Sequence, residues 1–83
     1  MYYVYFLYSK SKDRYYVGSS ENPEKRLLRH NAGATKSTKP GRPWKIVYVE
    51  EFNSKTEAIK REYYLKKMKS RIVLEKIISE QNG

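Results

Sequence analysis

The stretch that decides the fold is Tyr2-Tyr3-Val4-Tyr5-Phe6-Leu7-Tyr8-Ser9, followed by Lys10-Ser11-Lys12-Asp13 and then by Arg14-Tyr15-Tyr16-Val17-Gly18-Ser19. The first eight residues are an almost unbroken aromatic and aliphatic run. Such a run predicts a strand buried on both faces and central in its sheet. The polar quartet reads as a turn, and Arg14 to Ser19 as a second strand, so the pair forms a hairpin. If Lys10 to Asp13 is the loop, Ser9 faces Arg14, Leu7 faces Tyr16 and Tyr5 faces Gly18. Residues directly opposite in an antiparallel pair share a face, which puts Tyr5, Leu7, Tyr16 and Gly18 on one side. Gly18 then leaves open space beside Tyr5 for the approach of a ligand backbone. A loop one residue longer or shorter reverses this arrangement.

Further along, Asn22-Pro23-Glu24 is a helix start, with Asn as N-cap, Pro at the first helical position and an acid in the first turn. Leu27, Leu28 and Asn31 fall on one side of that helix, and Gly33 is its C-cap. Gly33 to Pro43 reads as a loop. Trp44 to Phe52 is a third strand. Ser54-Lys55-Thr56-Glu57 is a capping box that opens a second helix running to about Lys69. Ser70 caps a third, whose apolar stripe is Val73, Leu74, Ile77 and Ile78; Gln81 to Gly83 should fray. The order β-β-α-β-α-α places the chain in the α+β class, with a three-stranded, mostly antiparallel sheet flanked by helices. Neither a repeat nor a linker interrupts it, so residues 1–83 are expected to form a single domain.

Composition narrows the function. The chain of 83 residues carries 18 Lys+Arg against 9 Asp+Glu, a net charge of +9. So large an excess on so small a domain favours a polyanionic partner, nucleic acid first. A membrane surface fits less well, because no helix combines strong basicity with an apolar face rich in Trp, Phe and Leu. From Lys25 to Val49 there is no acid, but there are Lys25, Arg26, Arg29, Lys36, Lys39, Arg42 and Lys45. A second basic cluster holds Lys60, Arg61, Lys66, Lys67, Lys69 and Arg71. With no cysteine, disulfides and thiolate metal sites are excluded, in keeping with a reducing cytoplasm. No segment reaches the roughly 18 to 20 apolar residues of a membrane span, and Tyr2 to Tyr8 is too short and too aromatic for a signal peptide. A soluble, cytoplasmic protein is expected.

Three residues stand out as carriers of chemistry. Arg26 and His30 are spaced i, i+4 and project from one helix face, beside the leucines rather than opposite them. An Arg at the rim of a cleft holds a phosphate through two parallel hydrogen bonds, and a His moves a proton near neutral pH. At about 100° per residue, Ala58, Ile59, Glu62 and Leu65 share one arc of the second helix, so Glu62 lies on the face that packs. A buried carboxylate is costly unless it is paired or binds a metal. Two explanations stay open: an internal ion pair, with Arg26 for instance, or a divalent cation. Other chemistries drop out. Asp13 sits in a turn, with nothing to bring it to His30 and a serine for a triad. No GxxxxGK loop is present, and one histidine without cysteine cannot make a Cys/His zinc site. Two-metal nucleases need several clustered carboxylates; only Glu62 looks inward, so a single-metal scheme is the one that fits.

In these residues the chain resembles the GIY-YIG nuclease domain family, and in particular its small stand-alone bacterial members, over roughly Tyr2 to Ile78. Tyr3-Val4-Tyr5 stands where the family has Gly-Ile-Tyr, and Tyr16-Val17-Gly18 where it has Tyr-Ile-Gly. Arg26 and His30, within Arg26-Leu27-Leu28-Arg29-His30-Asn31-Ala32-Gly33, match the helix motif, and Glu62 the metal-binding glutamate. The resemblance implies phosphodiester hydrolysis with one divalent ion, Mg²⁺ or Mn²⁺, held by Glu62. It implies that Arg26 steadies the scissile phosphate and that Tyr5, Tyr16 or His30 assists deprotonation of the attacking water. The chain departs from the pattern at Tyr3, where the family has glycine, and at Ser19, where some repair-nuclease relatives carry lysine. The Asn or Gln that the family places well after the glutamate has only Gln81 and Asn82 as candidates. Lys36, Lys39, Arg42 and Lys45 are then expected to contact backbone phosphates on either side of the cut. The expectation is a monomeric DNA endonuclease or nickase of low sequence preference, acting on flaps, branches or damaged DNA in repair or recombination. The alternative is a nucleic-acid-binding module of the same fold with little or no turnover.

Overall fold

A computed structural model describes residues 1–82. It contains β1 (Tyr2–Ser9), β2 (Arg14–Ser20), α1 (Pro23–Asn31), a 3-10 turn (Lys39–Gly41), β3 (Trp44–Phe52), α2 (Lys55–Met68) and α3 (Arg71–Asn82). The β1–β2 register is the one the four-residue loop demands, with Ser9 opposite Arg14, Leu7 opposite Tyr16 and Tyr5 opposite Gly18. β3 pairs antiparallel with the other edge of β1, giving the order β2-β1-β3. A bulge leaves Val47 without an opposite residue, since Phe6 faces Tyr48 and Leu7 faces Ile46. The aromatic run is therefore the central strand, and only its two neighbours have free edges.

Alternation along β1 feeds two separate cores. Val4 and Phe6 join Val17, Ala58, Leu65 and Leu74 beneath α2 and α3, with Ile77 and Ile78 packed against them. Tyr5 and Leu7 join Trp44 on the opposite face, with Tyr16, Leu27, Ile46 and Val49 around them beneath α1. The helix starts are held by the side chains that their sequences predict. Asn22 Oδ1 accepts from Lys25 N at 3.1 Å, Ser54 Oγ from Glu57 N at 3.2 Å, and Ser70 Oγ from Val73 N at 3.3 Å. Gly33, at φ 81°, is the left-handed residue just past α1. Its N–H reaches His30 O and that of Ala34 reaches Arg29 O, the two bonds that close a Schellman motif.

Two details differ from the sequence reading. Leu28 is 71% exposed; the short α1 meets the sheet over a narrow arc occupied by buried His30 and half-buried Leu27. Gln81 lies inside α3 rather than in a frayed end, while Gly83 lies outside the described residues.

The connection from Gly33 to Pro43 is more ordered than its composition suggests. Asn31 binds the backbone of Trp44 twice, accepting from its N–H at 2.6 Å and donating to its carbonyl at 3.0 Å. The Trp44 indole N–H in turn donates to Thr38 O at 2.7 Å, and Thr38 is 1% exposed. The loop is thus sewn to both α1 and β3. Asn31→Ala leaves the Trp44 N–H without its partner, a loss worth about 1–3 kcal/mol. In urea denaturation the midpoint is expected to fall while the slope m stays unchanged.

Candidate active site

The absence of a side chain at Gly18 determines where Tyr5 points. A Cβ on Gly18 would lie 2.5 Å from the Tyr5 hydroxyl oxygen, 2.6 Å from its Cζ and 3.1 Å from Tyr16 Cε2. The space that the sequence reading leaves for a ligand backbone is therefore taken by the Tyr5 phenol. That ring starts on the central strand and crosses over β2, bringing its hydroxyl to 3.3 Å from His30 Nε2. Tyr16, from β2, packs tilted at 60° against the same imidazole, with 4.9 Å between ring centroids. The other imidazole nitrogen, Nδ1, is 2.8 Å from Thr38 Oγ1. His30 is 1% exposed: the histidine predicted to edge into a cleft is the innermost residue of α1.

The electrostatics of this face follow from burial and from α1. Burial pushes the Tyr5 hydroxyl up to about 12; Tyr16 adds to the rise and the Arg26 guanidinium pulls against it. Burial also lowers the His30 imidazole below its usual range, and Arg26 and Arg29 on the same helix lower it further. At neutral pH the face therefore presents a protonated phenol against an uncharged imidazole.

Glu62 belongs to the other face. Ser19, opposite Val4 in the ladder, shares the side that α2 covers, and its hydroxyl donates to Glu62 Oε1 at 2.5 Å. Lys66 Nζ donates to Oε2 at 2.6 Å, and the Glu62 side chain is 20% exposed. The ion-pair partner is thus Lys66, one helical turn away, and not Arg26, which stands across the sheet. Ile59, expected to pack, is 43% exposed, so the buried arc of α2 is narrower than its apolar residues imply. Edge strand β2 is all that separates the halves: the Glu62 charge raises Tyr5, and Lys66 Nζ lies 5.3 Å from the Tyr16 ring centroid.

Among the described residues, no group of three His, Cys, Asp or Glu side chains converges. The Glu62 carboxylate lies between the Ser19 hydroxyl and the Lys66 ammonium. Mg²⁺ keeps several waters and is commonly bound by one or two carboxylates plus substrate phosphate, so the Glu62 carboxylate fits such an ion in type, with Ser19 and Lys66 holding its two oxygens here. Lys36, Lys39 and Arg42 are exposed on the α1–β3 connection, with Arg42 Nε bound to Lys39 O at 3.0 Å. Lys45 shares the face of Tyr8 and opens on a separate hollow with Tyr8, Lys10 and Pro43. Three participants escaped the sequence reading. The sequence assigns no role to Thr38, marks Ser19 only as a departure from relatives, and puts Lys66 in a basic cluster that drifts onto the arc of Glu62; the i, i+4 spacing from Glu62 is the signal that pairs the two. On the α2–α3 side of β2, Arg14, Lys66, Lys69 and Arg71 rim a cavity of about 410 Å³ floored by Val17, Leu65 and Leu74.

Two outcomes follow. Gly18→Ala forces the Tyr5 ring aside and is expected to destabilise by about 1–3 kcal/mol, as overpacking does. Tyr5→Leu on the same background should recover part of that loss in thermal unfolding. For His30 the folded-state pKa lies below the unfolded value, so the unfolded chain binds more protons between the two. Its contribution to stability is therefore full above the usual histidine range and lost as pH falls through the folded pKa. An NMR pH titration of this one histidine should show a midpoint below about 6.5.

The GIY-YIG catalytic domain matches residues 1–76. A UPF0213 protein of Clostridium perfringens is 42% identical over 87 aligned positions, spanning 99% of this chain and 92% of its own. Another, from Staphylococcus saprophyticus, is 44% identical and covers 94% of each chain. The solution structure of a UPF0213 protein from Bacillus halodurans superposes with a TM-score of 0.62 at 33% identity, covering all of this chain and 88% of that one. GIY-YIG nucleases generally depend on a divalent metal ion. In fold, in motif and in these relatives, the chain belongs to the GIY-YIG catalytic domain family.

Proposed function

We propose that the protein is a DNA endonuclease or nickase that hydrolyses phosphodiester bonds with one divalent ion, Mg²⁺ or Mn²⁺, held by Glu62. The observation that carries this reading is the convergence on edge strand β2 of a phenol–imidazole pair from one face and a lone carboxylate from the other. A hydroxyl held up near 12 is a poor base alone, but one that hands its own proton on is a competent relay. As the attacking water gives a proton to the Tyr5 oxygen, the Tyr5 proton passes to His30 Nε2. The depressed basicity of His30 keeps that nitrogen unprotonated and ready at neutral pH. Tyr16 packs the imidazole in place. Arg26, whose guanidinium acts on both Tyr5 and His30, would hold the non-bridging oxygens of the scissile phosphate. When bound, the divalent ion supplies Lewis-acid polarisation of the phosphate and counter-charge for the leaving oxygen.

The net charge of +9 and its placement support a duplex lying across the β2 edge. Lys36, Lys39 and Arg42, on the loop whose Ser37, Thr38 and Pro40 share a hollow with Arg14 and Tyr16 of β2, would flank one side of it; Arg14 and Lys69, which rim the cavity on the other, would flank the second. Contacts of this kind go to phosphates and carry no base readout, in keeping with low sequence preference and with substrates distinguished by shape, such as flaps and branches. Lys45, on its separate hollow, contributes through long-range attraction rather than at the cut.

One feature favours the weaker alternative, a nucleic-acid-binding module with slow turnover: Ser19 and Lys66 already engage both Glu62 oxygens. A panel of linear, nicked and branched DNAs, incubated with Mg²⁺ or Mn²⁺, separates the two. Glu62→Gln is expected to lower cleavage at least about 10²-fold while leaving DNA affinity nearly unchanged; equal inactivity of wild type and variant on every substrate refutes the nuclease. Replacing Lys36, Lys39 and Arg42 by alanine should flatten the dependence of log K on log salt by about one for each phosphate no longer neutralised. An unchanged slope removes that loop from the interface.

A further inference from the structure

Of the groups around His30, Thr38 is the one that the proposed chemistry leaves without a role. It comes from the basic connection between α1 and β3, which has no regular structure at that point, yet it is as buried as the histidine itself, at 1% exposure. Its hydroxyl has two neighbours. Oγ1 donates to Thr35 O at 3.3 Å and lies 2.8 Å from His30 Nδ1. A hydroxyl carries one hydrogen. With that hydrogen on the Thr35 carbonyl, the contact to His30 requires Nδ1 to be the donor. A neutral imidazole that holds its proton on Nδ1 has a bare Nε2, and Nε2 is the nitrogen 3.3 Å from the Tyr5 hydroxyl. The hydrogen bonds then run in one direction: Tyr5 hydroxyl to Nε2, Nδ1 to Thr38, Thr38 to the Thr35 carbonyl.

We infer that Thr38 is the positioning residue that fixes His30 in its Nδ1-protonated tautomer and so aims an empty Nε2 at Tyr5. The inference rests on the reading of Tyr5 and His30 as a proton relay, and it specifies what makes that relay one-way. In the other tautomer Nε2 carries hydrogen, the Tyr5 proton has nowhere to go, and the Thr38 hydroxyl has to turn from the Thr35 carbonyl, which also accepts the Thr38 and Lys39 N–H groups, to donate to Nδ1. A carboxylate in the same place would set the tautomer too, but would also raise the imidazole basicity. A hydroxyl fixes the proton without adding charge, which suits a base working between Arg26 and Arg29. The backbone of Thr38 is held as firmly as its side chain, through the Trp44 indole on its carbonyl. The loop that bears Lys36, Lys39 and Arg42 is thereby tied to the orientation of the imidazole.

The test reads the tautomer directly, independently of turnover. With ¹⁵N-labelled protein, long-range ¹H–¹⁵N correlation of the one imidazole distinguishes a protonated nitrogen from a bare one. Wild type is expected to show Nδ1 protonated and Nε2 bare above the histidine transition. Thr38→Ser, which keeps the hydroxyl, should keep that signature and most of the cleavage rate. Thr38→Val, similar in shape, should lose the single-tautomer signature and lower kcat on the order of 10- to 100-fold, the range typical of outer partners that fix a histidine. KM should change little, since no phosphate contact is removed. A wild-type His30 with the proton on Nε2 overturns the proposal at once, whether or not Thr38→Val folds, and so does a folded Thr38→Val that keeps the wild-type signature. If no variant cleaves DNA while the tautomer pattern holds, the nuclease reading fails and the positioning role of Thr38 stands.

Discussion

The passage of the Tyr5 ring over Gly18 is the constraint on which the rest depends. Tyr5 lies on the central strand, where an aromatic side chain is normally enclosed between its neighbours. Because the residue opposite has no Cβ, the phenol leans across β2 and sets its hydroxyl over the edge strand beside His30, where it is fully buried. The hydrophobic body of the ring remains in the core with Leu7 and Trp44, so its burial contributes to stability while its polar tip reaches the candidate site. That double use explains why glycine is needed in the middle of a strand, where it otherwise weakens pairing.

Around that hydroxyl the chain has arranged cations and burial so that charge is scarce at the centre and plentiful at the rim. His30 is kept uncharged by burial and by two arginines on its own helix, and Tyr5 is kept protonated by burial. Glu62 carries the negative charge, on the far side of a single strand, where Ser19 and Lys66 offset it. On the proposed reading, a polyanion approaching the β2 edge would meet Arg26 and the cations of the loop on one flank, and those of the α2–α3 rim on the other. The arrangement sets the phenol–imidazole pair and the Glu62 carboxylate on opposite faces, with one edge strand between them.

Much of the architecture was legible in the linear chain because local rules decided it. The hairpin register followed from a four-residue loop. The helix starts at Asn22, Ser54 and Ser70 followed from capping side chains, and the three strands from aromatic and β-branched runs. The motif residues Tyr5, Tyr16, Arg26, His30 and Glu62 were legible one by one. Their grouping was not. Glu62 reads as a packed acid in search of a counter-ion, and only the placement of α1 and α2 on opposite faces shows that Arg26 is not its partner. Leu28 and Ile59 went astray for a related reason: a periodic pattern says which residues are apolar, but the width of the arc that meets the sheet depends on how closely each helix packs.

By itself, then, the sequence determined the order and type of the elements, the antiparallel register, the basic character of the surface and the family to which the chain belongs. These rest on interactions between residues close in sequence, or on composition. Only the tertiary structure decided that the space beside Gly18 is filled by a phenol, that His30 is buried between Tyr5 and Thr38, and that Glu62 leans on Ser19 and Lys66 across the edge strand. Those pairings join residues from 4 to 43 positions apart, and the longer of them exist only once two helices have docked on opposite faces of one sheet. No local propensity encodes that docking; it is set by how the two cores fill.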